Sequence, residues 1–478
     1  MNVNDIITPQ EDPSGKMAEF AANLKYEDIP AEQADYIKRD ILDMMCSFLG
    51  GSTGPSMAEV MASVCSWGVN GCGRGRVLVY GNRLPETLAA FANGVMARSV
   101  DLGDTGVLGG HICEWILPAL LSGLDRADGP VDGKTFITAF AAGAEWGARE
   151  HITIRLQYNN NLVPGECAGS RYATIALAKM YGFNKEQIWD SAGMSYCAHT
   201  MTTQQKYAEG TPDARLQHGY VTADALQITD LIKRGMKSVH GIYMGGAGLL
   251  KSIRHNNMES PDTLTKDLGK TWMWKDNITN KLYAGCYYNH TPIYAALSLM
   301  KEKDITKEDI SHIHYITSHA GEHVWEPHDV KYNPQTPESA MFSGPYSVAY
   351  AVFYGDCFLD AYKPEVFKAN MKNPEFVAFM NQITQENDES IKTTFDNYYI
   401  IITTKDGKEY KKLESNTPGN QANPVTWEQV IDKFWKSTKF AAVDLGREKY
   451  EKVIEICRNM ENVDDMRQLF EAMVPEEG

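Results

Sequence analysis

The stretch DIPAEQADYIKRDILDMMCSFLGG, residues 28–51, sets the character of the chain. Asp28-Ile29-Pro30 announces an element. Ile37, Ile41, Met44, Met45 and Phe48 then fall three to four residues apart. This is the period of a helix with one apolar face, and Gly50-Gly51 reads as its stop. The same pattern extends outward. Leu88, Phe91, Val95 and Met96 follow Pro85; Pro118-Ala119-Leu120-Leu121 comes next, then the Ala- and Gly-rich run from Phe136 to Ala148. Ala and Gly at helical spacing indicate close helix–helix packing. Arg171 to Met180, Ile188 to Thr200 and Val221 to Gly235 continue the theme. Strand-like alternation is almost missing up to about residue 265, so this half reads as all-helical.

The texture changes near Leu268. Ile310 to Ser318 alternates like a strand, and Asn397 to Leu413 reads as a hairpin turning at Lys405-Asp406-Gly407. Helical patterns at Thr291 to Met300 and Ser347 to Tyr354 are interleaved, which makes this an α+β segment. Helical periodicity returns after Asn423-Pro424, from Thr426 to Phe434 and on to Leu469, with Asn462 to Asp465 as a cap signal.

With 478 residues, 43% apolar, the chain is long enough for one large core or two ordinary ones. A net charge of −16 disfavours nucleic acid and anionic membranes as partners, because both require clustered Lys and Arg. No window reaches the 18 or so unbroken apolar residues of a membrane span, and the polar start MNVNDIITPQEDPSGK is unlike a signal peptide. The nine cysteines are scattered without a CxxC pair and read as buried, reduced thiols of a cytoplasmic protein.

Candidate chemistry concentrates in Asp101-Leu102-Gly103-Asp104-Thr105-Gly106-Val107-Leu108-Gly109-Gly110-His111. Two carboxylates, a hydroxyl and an imidazole share a glycine-loosened loop between two helices. The loop can bring His111 toward Asp101 or Asp104, a pairing that suits general acid–base work. It can equally be a turn in which Asp104 and Thr105 cap a helix. Arg215-Leu216-Gln217-His218-Gly219 leads into a helix, where free N–H groups favour an anion. Lys281 and His290 open a helix in the α+β part, and Lys281 can bind a carboxylate or, if desolvated, act as a base. His319, His323 and His328, with Glu322 and Glu326, would pair on a metal only along a helix, which Gly321 and Pro327 oppose. Gly245 to Ser252 only imitates a phosphate loop, and Gly71 to Gly75 lacks a dinucleotide fingerprint.

These pieces, in this order, resemble the MmgE/PrpD family, which includes 2-methylcitrate dehydratase, cis-aconitate decarboxylase and iminodisuccinate epimerase. The resemblance rests on Leu24 to Pro30, Ala89 to Val95, the Asp101 loop ending in Ile116-Leu117-Pro118-Ala119, Arg215 to Gly219, Lys281 to Ala284, and Phe342-Ser343-Gly344-Pro345-Tyr346. It implies a mainly α fold. A large all-helical domain, residues 1–267 and 424–478, would carry an inserted α+β lid domain, residues 268–423. It also implies a homodimer, no cofactor, a small organic acid as substrate and an active site between the domains. Asp101, Asp104, Thr105 and His111 match the family's loop pattern. Lys281 matches its lid lysine, Tyr346 its lid tyrosine and His290 a further recurring histidine. Catalysis is thereby expected from His111, Asp101, Asp104, Lys281 and Tyr346, and substrate binding from Thr105, Arg215, Gln217, His218 and His290.

Three positions depart from the family's pattern. Val163, before Pro164, stands where a His is usual; Ala214 stands where a Lys is usual; Met341 stands where an Arg is common. Losing cations weakens the case for a tricarboxylate, since unpaired charge in a closed site is costly. Either Arg215, Arg171 or Lys206 compensates, or the substrate carries less negative charge. The expected chemistry is proton abstraction next to a carboxylate, as in a dehydratase or decarboxylase. An epimerase using the same proton-transfer site and a catalytically degenerate binding homologue are the alternatives.

Overall fold

The stretch at 28–51 is a single helix in the computed structural model, which describes residues 11–68, 71–106, 110–157, 164–196, 213–246, 248–252, 261–391 and 397–476. Helix α1 (Pro13–Asn23) precedes α2 (Ala31–Gly51). Ile37, Ile41, Met44, Met45 and Phe48 all point into the core, as their spacing requires. The expected stop at Gly50-Gly51 is displaced: both glycines lie inside α2, and Ser52 caps it. A Cβ on Gly51 would stand 2.1 Å from the Met96 carbonyl oxygen, so the glycine admits a neighbouring backbone instead of ending the helix.

Helices α3 (Met57–Trp67), α4 (Glu86–Arg98) and α5 (Cys113–Gly123) follow, and every residue of α5 is buried. Then come α6 (Gly133–Gln157), α7 (Pro164–Met180), α8 (Lys185–Ser195) and α9 (Asp213–Lys233). Helix α8 opens with a reciprocal cap in which Asn184 accepts from the Gln187 N–H and Gln187 accepts from the Asn184 N–H. It ends at Ser195; the expected continuation to Thr200 lies outside the described residues. Helices α4 and α9 touch backbone to backbone. A Cβ on Gly94 would meet the His218 carbonyl oxygen at 2.4 Å, so only glycine fits there.

Two buried acids fasten the rest of this unit. Glu145 accepts from the Met273 and Trp274 N–H groups and pairs with Arg149 at 2.5 Å. Arg149 in turn donates to the carbonyls of Thr263, Lys266 and Thr271. The chain from 263 to 274 is thus held by a fully hydrogen-bonded pair rather than by regular structure.

The segment that follows is a separate unit comprising Val100–Leu102 and Thr279–Gln429. Its helices are α10 (His290–Lys303), α11 (Gly344–Tyr354), α12 (Pro364–Lys372) and α13 (Pro374–Met380). Its strands are β1 (Ile310–Thr317), β2 (Ile383–Asn387), β3 (Tyr398–Thr404) and β4 (Glu409–Glu414), in the order β2-β1-β3-β4. Strands β1 and β2 are parallel, with Ile313 opposite Ile383; the other pairs are antiparallel. Ile400 and Ile402 alternate into the core, and Gly407 turns the hairpin at φ +84°.

The helical unit comprises Met1–Ser99, Gly103–Ile278 and Val430–Gly478. Its last part contains most of α14 (Trp427–Thr438), then α15 (Arg447–Arg458) and α16 (Arg467–Ala472). Lys433 of α14 reaches Asp43 of α2 at 2.6 Å, both buried. Lys38 pairs with Glu461 and Arg76 with Glu471. The fold is therefore mainly α, with a smaller α+β part. No described helix is long and apolar enough to cross a membrane.

Candidate functional site

The end of α4, the loop after it and the start of α5 and α9 converge on one buried carboxylate. Asp104 comes first. Its Oδ2 accepts from the Ile112 N–H at 2.7 Å and its Oδ1 from the Cys113 N–H at 3.0 Å. The Asp104 carboxylate therefore caps α5, satisfying N–H groups that a helix start leaves without partners. Its link to His111 is through the backbone: His111 Nδ1 lies 2.6 Å from the Asp104 carbonyl oxygen.

A carboxylate does lie beside His111, and it belongs to Glu114. Glu114 Oε2 is 3.2 Å from His111 Nδ1, 3.4 Å from Arg98 Nε and 3.6 Å from His218 Nε2. The Glu114 side chain is wholly buried. The space it fills exists because residue 103 is glycine: a Cβ there would come within 2.6 Å of Glu114 Oε1. His218 is held flat against the Trp115 indole, ring centroids 3.4 Å apart and planes 10° apart, and lies edge-on to His111 at 6.4 Å.

This geometry fixes the His111 tautomer. A carbonyl oxygen and an ionised carboxylate only accept, so Nδ1 carries the hydrogen. Neutral His111 then has its lone pair on Nε2. The neighbouring Cys113 thiol is pushed well up, chiefly by burial and then by the carboxylates of Asp104, Asp40, Asp43 and Glu114. It is a packing residue.

The remaining expected residues fall as follows. Thr105 is buried in a two-residue strand whose Gly106 bridges to Gly110. Arg215, Gln217 and His218 are buried within the first turns of α9, not ahead of it, and Arg215 Nε donates to the Ser99 carbonyl at 2.9 Å. Arg171 is occupied by Glu150, which accepts from Nε through both oxygens at 3.0 Å. That makes Arg171 a structural ion pair. Lys206 and Val163 lie outside the described residues, as do Val107, Leu108 and Gly109 and the side chain of Ala214.

In the α+β unit, Lys281 Nζ contacts Asp101 Oδ1 at 2.6 Å and the Asp101 carbonyl at 3.1 Å, both side chains buried. Asp101 adopts φ +49°, the left-handed region that Asp tolerates better than most residues. His290 starts α10, buried between the rings of Tyr283 and Tyr287. Tyr346 is placed differently from its expected role. It is wholly buried among Tyr350, Tyr362, Phe367 and Phe376, and its hydroxyl donates to the Ala361 carbonyl at 2.7 Å. Burial in this core also raises its phenol pKa. Met341 is buried nearby in sequence, where an Arg was the family's usual residue.

Among the described residues, His323 and His328 do not assemble with Glu322 and Glu326 as metal ligands, and the His319 side chain lies outside the description. Cys46 and Cys357 are buried and pushed up to about 12 by desolvation, which makes them inert. Cys72 is exposed and Cys65 partly so, contrary to a uniformly buried set.

Glu114 and Arg98 went unnoticed in the sequence. The signal was there: His111 and Glu114 are three residues apart across a helix start, the spacing that puts side chains on one face. The apolar run around Glu114 hid it.

Comparison with known proteins agrees with the fold. Residues 15–260 match the MmgE/PrpD N-terminal domain and residues 283–459 the MmgE/PrpD C-terminal domain. The chain belongs to the MmgE/PrpD family. Among curated proteins it is similar to the cis-aconitate decarboxylase of Aspergillus terreus (strain NIH 2624 / FGSC A1156), 22% identical over 96% of this chain and 95% of the relative. The cis-aconitate decarboxylase-like protein oryM of Aspergillus oryzae (strain ATCC 42149 / RIB 40) is 23% identical over 98% of both chains. The Mus musculus cis-aconitate decarboxylase is 23% identical over 90% of this chain and 86% of its own.

Proposed function

We propose that the protein is a lyase that moves a proton at a carbon next to a carboxylate of a small organic acid. The observation that carries this reading is His111, a buried imidazole whose Nδ1 is held by the Asp104 carbonyl beside the Glu114 carboxylate. Family membership supports a lyase in general, and the named activity of the relatives favours decarboxylation over dehydration.

In this scheme the proton passes between substrate carbon and His111 Nε2, and the carbon's electron pair is held as an enolate. Lys281 and Arg215 are the cations proposed to hold the substrate's negative charge and the charge that develops on it. Asp101 orients Lys281, and Asp104 fixes the loop. Thr105, Gln217, His218 and His290 are proposed to contact the substrate. No step is assigned to Tyr346, whose hydroxyl is already occupied. The scheme uses no cofactor. A cytoplasmic homodimer is the proposed working form. The Trp67–Phe91–Tyr220 ring ladder supports the dimer by leaving Trp67 and Tyr220 exposed. Light scattering in solution reads its mass directly.

An epimerase would use the same proton transfer, and Val163 and Ala214 favour it by removing two usual polar groups. The deciding experiment incubates the protein with hydroxy- and unsaturated di- and tricarboxylates in deuterated water. Release of CO₂ with deuterium in the product, lost in His111→Ala, is the expected result. Exchange without loss of CO₂ or water indicates the epimerase. Ligand binding without any exchange would favour a degenerate homologue and sink the proposal.

A further inference from the structure

We propose that Glu114 is the positioning residue of this proton-transfer site, the group that sets the proton affinity of His111, while the Asp104 carbonyl holds its tautomer. The inference rests on the reading above. One oxygen, Oε2, is the common neighbour of His111 Nδ1, Arg98 Nε and His218 Nε2, at 3.2, 3.4 and 3.6 Å. The Asp104 carboxylate, by contrast, is turned away to cap α5.

The charges around the site define what Glu114 does. Arg98 comes from α4, His218 from α9, and Asp40 and Asp43 of α2 face the adjacent Cys113. In the resting state Glu114 offsets Arg98, so the buried pair carries no net charge. When a substrate proton reaches His111 Nε2, the C–H electron pair stays on carbon, and the imidazolium's Nδ1, hydrogen-bonded to the Asp104 carbonyl, lies 3.2 Å from Glu114 Oε2. A negative neighbour at this distance in a dry site favours the charged imidazole. Arg98, 3.4 Å from the same oxygen, works against it. The pair thus tunes the base between two opposing charges. It also means that Arg98 is already matched by the protein's own carboxylate and is not left to bind one from the substrate. This fits a substrate with fewer carboxylates than a tricarboxylate.

The test reads His111 itself, in the full chain, by NMR of labelled histidine across pH, with His111→Gln assigning its signal. In Glu114→Gln, the titration midpoint of His111 is expected to fall by about one pH unit or more. Its neutral tautomer is expected to stay Nδ1–H, because the Asp104 carbonyl still accepts there. Should that variant not fold, Arg98→Gln/Glu114→Gln removes both charges and carries the same expectation, with a smaller fall. An unchanged midpoint in either folded variant overturns the proposal. Retained activity in His111→Ala would instead sink the functional reading and leave the titration result standing.

Discussion

Lys281 Nζ lies 2.6 Å from Asp101 Oδ1, and both side chains are buried. Removing one partner of such a pair strands the other charge. Lys281→Met is expected to lower stability by about 3–5 kcal/mol, and adding Asp101→Asn to recover most of it. Thermal melts of the single and double variants measure this. Equal losses in both would show that the pair is not coupled.

Gly103 carries a sharper expectation. Ala at this position would set a Cβ 2.6 Å from Glu114 Oε1. Overpacking here is expected to cost about 1–3 kcal/mol and to displace the Glu114 carboxylate from His111. A crystal structure of Gly103→Ala with Glu114 unmoved would contradict the tight fit.

Tyr346 separates packing from chemistry. Phe at this position loses one hydrogen bond, to Ala361, at about 1 kcal/mol. Turnover is expected to stay within a few-fold of the unmodified protein. A fall of about 10²-fold or more, the size of a lost general acid, would return Tyr346 to the reaction.

The hairpin offers a pH test. The Asp406 carboxyl is held at about 2, below its ordinary 3.8, first by the Lys408 ammonium, then by the Thr404 hydroxyl and the Lys408 N–H. A lowered carboxyl pKa lends stability above the ordinary value and loses it as pH falls toward the shifted one. Amide exchange of β3 is therefore expected to quicken as pH falls from about 4 to 2, beyond the intrinsic pH effect, and Asp406→Asn to abolish that excess. Identical profiles would dismiss the effect.

Much of this was readable in advance, and the failures have physical causes. The period of Ile37, Ile41, Met44 and Phe48 located α2, because burial of one face dictates that spacing. Gly50-Gly51 was misread because a glycine that ends a helix and one that admits a neighbouring backbone look alike in sequence. Asp104 was open between capping and pairing with His111, and its carboxylate caps. Its three-dimensional alternative, Glu114, sits in the run Cys113-Glu114-Trp115-Ile116-Leu117, where hydrophobic neighbours suggest core and conceal a charge. Tyr346 came from resemblance alone, which preserves a residue type more readily than what its hydroxyl touches.

The pairing of Lys433 with Asp43 has a temporal consequence. The partners are 390 residues apart, and a ribosome adding about 5–20 residues per second makes them about 20–80 s apart. Throughout that interval Asp43 belongs to a nascent helix that lacks Lys433. The α+β unit, with its own sheet, is made before those last helices. The newly synthesised first half therefore waits, incompletely sealed, for its last helices, and during that wait chaperones have the most to shield.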